Sequence, residues 1–512
     1  MLSQTYLWYS CFTISLPSFL YGYCLASLNS LMILNKNEKQ GECYDDGSYC
    51  PIGSLLRDLN LNTVSQEVAT GLTILGAWVG CTLFASQLMD RYGRRRALLV
   101  CNLGFLVGAS LCALAVSPFL LFLGRLVLGL AVGVEGTAVP ALLSEIALPE
   151  RRGLITAAHQ FMITMGILSA GVVGYACVTQ VPSGWRLALA LTAVPALLQL
   201  VLGWCVRTKT KFGFLPESPA WLLAQRSRSS HEQAVQVIHQ LRGSQSSVSR
   251  EAEIQRIRKE ACEAAEAEST SWEEVLANGQ PVKIGVAIMS FQAACGINMV
   301  IFYSSEVFFQ AGVDNSLLAT VTVGIVNMAM TVVSMILVDR LGRKSLLVGG
   351  TWLMVASLLA LSLSLFWLNS SLQGVLCVAF TLTYIVGFAI GFGGVGFVII
   401  CEIVPFKIRS KAMSLFLSCN WLLNLLLSLF SLSMIDFFAS QFKGQSKQKN
   451  QKFGVATIFL LFALICLASL MFVYGYVTET KGQKKISKDH DKYSFLDQQE
   501  LLIHDNNGGD EA

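Results

Sequence analysis

The sequence predicts an all-α membrane protein with twelve transmembrane helices in two six-helix pseudo-repeat bundles. Composition, a run of apolar segments and an internal repeat carry that prediction. Of 512 residues, 54% are hydrophobic and only 14% charged, whereas a soluble globular chain carries about 25% charged residues. The apolar residues gather into stretches of roughly 20, the length a helix rising 1.5 Å per residue needs to cross about 30 Å of hydrocarbon. A net charge of +4 is too small to draw nucleic acid as a partner.

Windows of about 19 residues place spans at 7–34, 67–89, 97–117, 119–147, 154–181 and 186–206, then at 282–311, 316–338, 345–368, 373–404, 410–438 and 454–477. The chain thus divides into a bundle over 1–206, a charged, helix-friendly linker over 207–281, a second bundle over 282–477 and a tail over 478–512. The tail lacks any useful apolar run and is expected to be disordered. Met1 to Asn35 lacks the basic n-region of a cleaved signal, so the first apolar segment is expected to stay. An even number of spans puts both termini on one side. Of the 37 lysines and arginines, 28 fall in the terminal tail and the loops on that side, against 8 in the opposite loops. The positive-inside rule therefore makes the termini and the linker cytosolic. Most of the fifteen cysteines lie in apolar segments, where a thiol acts as a small hydrophobe. Cys43 and Cys50 alone share a polar loop, so at most one disulfide is expected.

Arg91-Tyr92-Gly93-Arg94-Arg95 follows the second span, and Arg340-Leu341-Gly342-Arg343-Lys344 follows the eighth, 249 positions later. An acid precedes each, Asp90 or Asp339. Glu145 stands seven residues before Arg152, and Glu402 seven before Arg409, so the six-span unit is duplicated. Such a plan suits a carrier whose bundles rock about a midplane site. Glycine permits a tight turn between antiparallel helices. The flanking cations Arg91, Arg94, Arg95, Arg340 and Arg343 are placed to pair with Glu145, Glu217 and Glu402 at neighbouring helix ends. We read these groups as a cytosolic gate. Each wet pair contributes only about 0–1 kcal/mol, but several together bias a two-state carrier.

A polyhydroxylated guest needs neutral donors and acceptors to replace water, plus an aromatic face. The spans hold Gln160, Gln292, Asn298, Asn327, Asn420 and Asn424, with Trp421 beside the last two. Such residues are costly in a bilayer unless they face a cavity or a partner.

Asp90 to Arg95, Gly124-Arg125, Glu145 with Arg151-Arg152-Gly153, Pro216-Glu217-Ser218-Pro219, Gly296-Ile297-Asn298, Asp339 to Lys344, Glu402 with Arg409, and Glu479-Thr480-Lys481-Gly482 together resemble the signature set of the sugar porter family. That family belongs to the major facilitator superfamily and includes the facilitative glucose transporters. The resemblance implies a hexose or polyol carrier working by alternating access in a lipid bilayer. It implies sugar contacts at Gln160, Gln292, Asn298, Asn327, Phe397, Trp421 and Asn424, and adds Arg125 to the cytosolic gate. An enzyme, a cofactor or a metal is not expected, because no metal-ligand cluster, nucleophile elbow or phosphate loop is present.

The chain departs from the family at Ala293, where a second glutamine is usual, and in span 10. There Gly391 to Phe397 replaces a Gly-Pro-x-Pro-Trp segment, and Ala389 stands where an acid is usual. Cys24 follows Gly22-Tyr23 where proton-driven members carry aspartate, which favours passive uniport. Glu135, mid-span in Gly133-Val134-Glu135-Gly136-Thr137, is a candidate proton site and keeps proton symport as an alternative. The altered span 10 permits a second alternative, a non-transporting sugar receptor. In the tail, Asp497 with Leu501 and Leu502 fits an acidic dileucine signal for an endocytic adaptor, and Tyr493 to Leu496 a tyrosine-based one. The plasma membrane or an endosomal-lysosomal membrane is the expected address. Asn369-Ser370-Ser371 is a sequon in a very short outer loop.

Overall fold

The computed structural model describes residues 2–32, 53–147, 152–205, 213–225, 227–242, 251–252, 254–259, 271–310, 316–367, 371–404, 408–442 and 447–479. Twelve of its helices are long and apolar enough to cross a membrane: α1 (Thr5–Leu31), α2 (Thr63–Tyr92), α3 (Arg94–Ala113), α4 (Pro118–Ile146), α5 (Ile155–Gln180), α6 (Gly184–Gly203), α7 (Gly279–Phe302), α8 (Leu318–Val338), α9 (Arg343–Trp367), α10 (Leu372–Ile400), α11 (Lys411–Gln441) and α12 (Lys449–Tyr476). The expected spans are all present. Two shifted starts have local causes. Asn62 caps α2, its side chain accepting from Ser65 N at 2.8 Å, so the helix begins four residues before the expected 67 and includes the acidic Glu67. The lysine-bearing stretch before 454 continues α12 as helix.

Because the crossings alternate, the first and last helices leave their outer ends on one side. The glycine turns after α2 and α8 lie there too, and we call it the termini end and the opposite side the far end. Gly93 (φ +89°) and Gly342 (φ +92°) adopt a backbone conformation that side-chain-bearing residues avoid. This is why the duplicated motif centres on glycine.

The buried apolar residues form two main groups. One, with Leu20, Phe105 and Trp185, packs α1 to α6. The other, with Phe308, Phe392, Phe416 and Phe459, packs α7 to α12 and takes in Leu25 and Ile74 from across the seam. Along that seam α2 lies on α11, α5 on α8, and α1 on the outer segment of α7. Within the linker, helix Arg228–Arg242 buries Ala234, Val237, Ile238 and Leu241 in a third group with Leu142, Leu143 and Ile146 at the termini end of α4. Its Arg242 Nη1 donates to Ile146 O at 2.9 Å, satisfying a carbonyl that the end of α4 leaves open.

Candidate binding site and latches

Midway through the second half, four amides form a chain. Asn298 Nδ2 donates to Asn424 Oδ1, and Asn424 Nδ2 to Asn420 Oδ1 at 3.0 Å. Asn420 Nδ2 donates to Gln292 Oε1 at 3.1 Å and to Met289 O at 2.9 Å. Gln292 Nε2 closes the series on Phe392 O at 2.9 Å. Local backbone explains the meeting. α7 breaks after Cys295, where Gly296 takes φ +91°, and the next segment turns Asn298 toward α11. α10 widens into a π-helical turn over Ala389–Gly393, and Phe392 O lies inside it. Gly391 and Gly393 of span 10 thus lie within this π-turn, and Gly394 follows it. An amide offers two N–H donors and a two-lone-pair carbonyl. The bonds given leave Gln292, Asn298 and Asn424 one N–H each, which is the capacity a hydroxyl-rich guest requires.

The remaining candidates are placed around this chain. Trp421 lies against Tyr21 of α1 across the seam, ring centroids 6.1 Å apart. Asn327 lines a separate cavity of about 20 Å³ together with Asn29, Ser304 and Thr320, space for about one water. Gln160 is half-buried beside His159 on α5. Phe397, with 39% of its surface exposed, belongs to neither the amide chain nor that cavity.

At the far end the two halves are tied together. Asn29 Nδ2 donates to Ser304 Oγ at 2.8 Å. Both carboxylate oxygens of buried Glu67 accept from Ser433 of α11, Oε1 from its N–H at 2.8 Å and Oε2 from its hydroxyl at 2.5 Å. Midway, Trp78 Nε1 donates to Ser418 Oγ at 2.8 Å. Sequence reading missed Asn29, Glu67 and their partners. A buried acid near a span end, as Glu67 is, was the available signal.

At the termini end the repeat becomes matched geometry. Arg94 pairs with Glu145 at 3.2 Å and Arg343 with Glu402 at 3.3 Å, each pair within its own half and partly shielded. Arg94 also lies 3.8 Å from Asp90. Glu217 Oε1 accepts from Arg95 N at 3.1 Å and Ser218 N at 2.9 Å. Glu479 accepts from Arg343 N at 2.9 Å and Lys344 N at 3.0 Å. Each carboxylate caps the helix that starts after its glycine, where unpaired N–H groups and the helix dipole favour negative charge. A Cβ built on Gly93 would lie 2.4 Å from Glu217 Oε2 and would displace that capping carboxylate. Burial pushes the Glu217 carboxyl above its ordinary value, against the pull of the Ser218 and Arg95 N–H groups and Arg94. Glu479 was legible as part of a motif, but its equivalence to Glu217 emerges only in three dimensions. Arg91 rests over the Tyr92 ring at 5.3 Å, and Arg340 is exposed.

Arg125 corrects the sequence reading. It lies fully buried near the far end of α4, about 30 Å along the helix from Ile146, and donates to Cys24 O at 2.9 Å and Ala69 O at 3.3 Å. It therefore stands apart from the termini-end latch. The side chains of Arg152, Asp339 and Arg409 lie outside the described residues, as do Cys43, Cys50, Asn369, Asp497, Leu501 and Leu502.

Glu135 is fully buried on α4, and two partners missed in the sequence meet it. Ser18 Oγ donates to Glu135 Oε1 at 2.7 Å, and His159 Nδ1 lies 3.6 Å from the same oxygen and 2.8 Å from Ser18 Oγ. A signal was available, because His159 is the one histidine of five that falls within a span.

Residues 10–489 match the family model described as "Sugar (and other) transporter". The chain is 32% identical over 447 residues to "Glucose transporter GlcP" of Staphylococcus epidermidis, covering 86% of this chain and 92% of that protein. It is 32% identical over 434 residues to "Plastidic glucose transporter 4" of Arabidopsis thaliana, covering 84% and 73%, and 30% identical over 434 residues to a "D-xylose transporter" of Levilactobacillus brevis, covering 83% and 87%. Its fold matches the partially occluded inward-open conformation of the xylose transporter XylE from E. coli, with a TM-score of 0.70 at 23% identity over 94% of this chain and all of that one. Twelve apolar helices, a duplicated latch and this extent of similarity make the chain a member of the sugar porter family of the major facilitator superfamily, a carrier and not an enzyme.

Proposed function

We propose that the protein carries a hexose or related polyol across a membrane by alternating access, as a facilitative uniporter. The amide chain from Asn298 to Phe392 O carries this reading: four neutral amides joined midway through the bilayer, beside an aromatic pair that crosses the seam. Gln292, Asn298 and Asn424 bind hydroxyls, Trp421 receives the apolar face of the ring, and Gln160, Asn327 and Phe397 complete the lining as the seam rearranges. The units 1–206 and 282–477 move as the two bodies, with 207–281 joining them. Glucose and xylose carriers among the relatives support the substrate class. The basic loops put the termini end in the cytosol, and the tail from 478 onward carries the proposed adaptor signal for endosomal or lysosomal cycling.

Cys24 supports uniport, since a thiol replaces the acid expected of proton-driven members. One observation favours proton symport as a second reading: the buried contact of Glu135 with Ser18 and His159. Uptake of a labelled sugar panel into proteoliposomes tests the proposal. Saturable uptake of at least one hexose or polyol, with counterflow, is the expected result. Uptake matching empty vesicles across the panel would overturn it.

A further inference from the structure

The Ser18, Glu135 and His159 cluster is unlike the rest of the buried polarity. Glu135 keeps none of its side chain exposed, and its Oε2 has no hydrogen-bond partner among the described residues. A fully buried carboxylate with one empty oxygen is costly as an anion. His159 keeps 17% of its side chain exposed. It sits on α5 near the termini end, four residues into the span, whereas Glu135 is sealed deeper in the bundle. The histidine is thus the approachable member and the acid the enclosed one.

The hydroxyl of Ser18 gives the cluster a direction. With Glu135 ionised, the Ser18 hydrogen goes to Glu135 Oε1 and its oxygen accepts from His159, which places a hydrogen on Nδ1. A proton arriving from water at His159 Nε2 allows Nδ1–H to pass to Ser18 Oγ while the hydrogen of Ser18 passes to Glu135 Oε1. Histidine ends neutral with its hydrogen on Nε2, serine is restored, and the carboxyl is neutral. The cluster gains one proton and one positive charge in total.

The same cluster reaches the seam. Tyr21, one turn along α1 from Ser18, meets His159 edge-on at 6.4 Å and Trp421 of the other half at 6.1 Å. Among the described residues, Tyr21 and Cys24 of α1 and Cys101 of α3 feel the Glu135 charge. Cys81 of α2 lies beside Tyr21 and is bonded to Thr137. Arg125, ten residues earlier on α4, is directed to the Cys24 and Ala69 carbonyls instead.

We propose that Ser18, Glu135 and His159 form a one-proton binding site whose occupancy is linked, through Tyr21 and Trp421, to sugar binding at the seam. The inference rests on the carrier reading and adds a second ligand to it. Any such linkage is reciprocal: a proton that changes sugar affinity must be bound differently when sugar is present.

The test is sugar counterflow in proteoliposomes with equal pH on both faces, between about pH 5 and 8, where histidines and shifted carboxyls titrate. The wild type is expected to change its half-saturation concentration by about fivefold or more, the low end of ordinary coupling between sites. Glu135→Gln imitates the protonated acid and is expected to hold the acid-side value at every pH. His159→Gln is expected to flatten the profile as well, with assembly of both variants checked by size-exclusion chromatography. A saturable but pH-independent wild type would overturn the proton site and leave the carrier standing, whatever the variants do. A Glu135→Gln profile that follows the wild type would also overturn it. Absence of saturable counterflow at every pH would overturn the carrier reading and the linkage with it. Accumulation driven by an imposed pH gradient would show that the bound proton crosses with the sugar, and pH-dependent exchange without accumulation that it returns to its own side. Both results support the site.

Discussion

The two halves hide their polarity in different chemical forms. The first half buries groups that carry or exchange charge: Arg125, Glu135 with Ser18 and His159, and Glu67 at the seam. The second half buries the cation Lys452 and, midway through its bundle, joins neutral amides from Asn298 to Gln292, whereas the first half's buried amide pair, Asn102 with Gln199, is tied to the Thr13 carbonyl. A neutral amide with a spare N–H can exchange one hydroxyl partner for another without charging the membrane interior, whereas a buried acid changes charge when it changes partner. The duplicated unit has diverged in its buried polar groups while its latch geometry stayed matched. On the proposed reading, the sugar is met chiefly by the second half and titration belongs to the first.

The largest effect that would break this contrast is expected at Gln292. Gln292→Leu removes one link of the chain and leaves Asn420 and the Phe392 carbonyl short of a partner. With about 0.5–1.5 kcal/mol lost per hydrogen bond, the half-saturation concentration for sugar should rise by roughly tenfold or more in proteoliposome uptake, with assembly retained. A KM equal to wild type would show that the amides only hold helices together.

Next in size are the far-end ties. Asn29→Leu combined with Glu67→Gln weakens bonds that join the halves at one end only, at a cost of about 1 kcal/mol for each bond lost. Accessibility of a cysteine placed at that end to an impermeant thiol reagent should increase severalfold. Unchanged labelling would mean that apolar packing alone keeps the far mouth shut.

A smaller effect is expected at the latches, since partly exposed pairs are worth about 0–1 kcal/mol each. Arg94→Ala and Arg343→Ala should lower thermal stability by similar amounts and additively, because each pair lies within its own half. Strong non-additivity would mean that the two latches act as one device across the seam.

The smallest effect concerns Glu217. Burial raises its folded-state value above the ordinary 4.5, so the folded protein holds this proton more tightly than the unfolded chain. Its contribution to stability is therefore present below pH 4.5 and lost as pH rises through the folded value. Melting temperature should fall slightly over that interval in the wild type, and Glu217→Gln should remove the slope. A slope persisting in the variant would assign the titration to another group.

Much of this architecture was legible in the sequence because it rests on local physics. Span length follows from bilayer thickness, and Gly93 and Gly342 announced the turns because glycine readily takes that backbone conformation. The contents of the site were legible as residue types, and four of the named amides do meet. Contacts between distant helices were not legible. Ser18 and Glu135 are separated by 117 positions and Glu67 and Ser433 by 366, and no periodicity encodes such meetings. Arg125 was misplaced for a different reason: its position early in the fourth span already put it at the far end, and the family resemblance was followed instead.

The central claim is that the amides of the second half bind the sugar directly. The most direct measurement is equilibrium binding of the best-transported sugar to purified protein, comparing wild type with Asn424→Leu and with Glu135→Gln at acidic pH. The account predicts roughly tenfold weaker binding for Asn424→Leu, from loss of one or two hydrogen bonds, and near wild-type binding for Glu135→Gln. Undiminished affinity in Asn424→Leu, with binding abolished in Glu135→Gln, would contradict it and place the sugar in the first half.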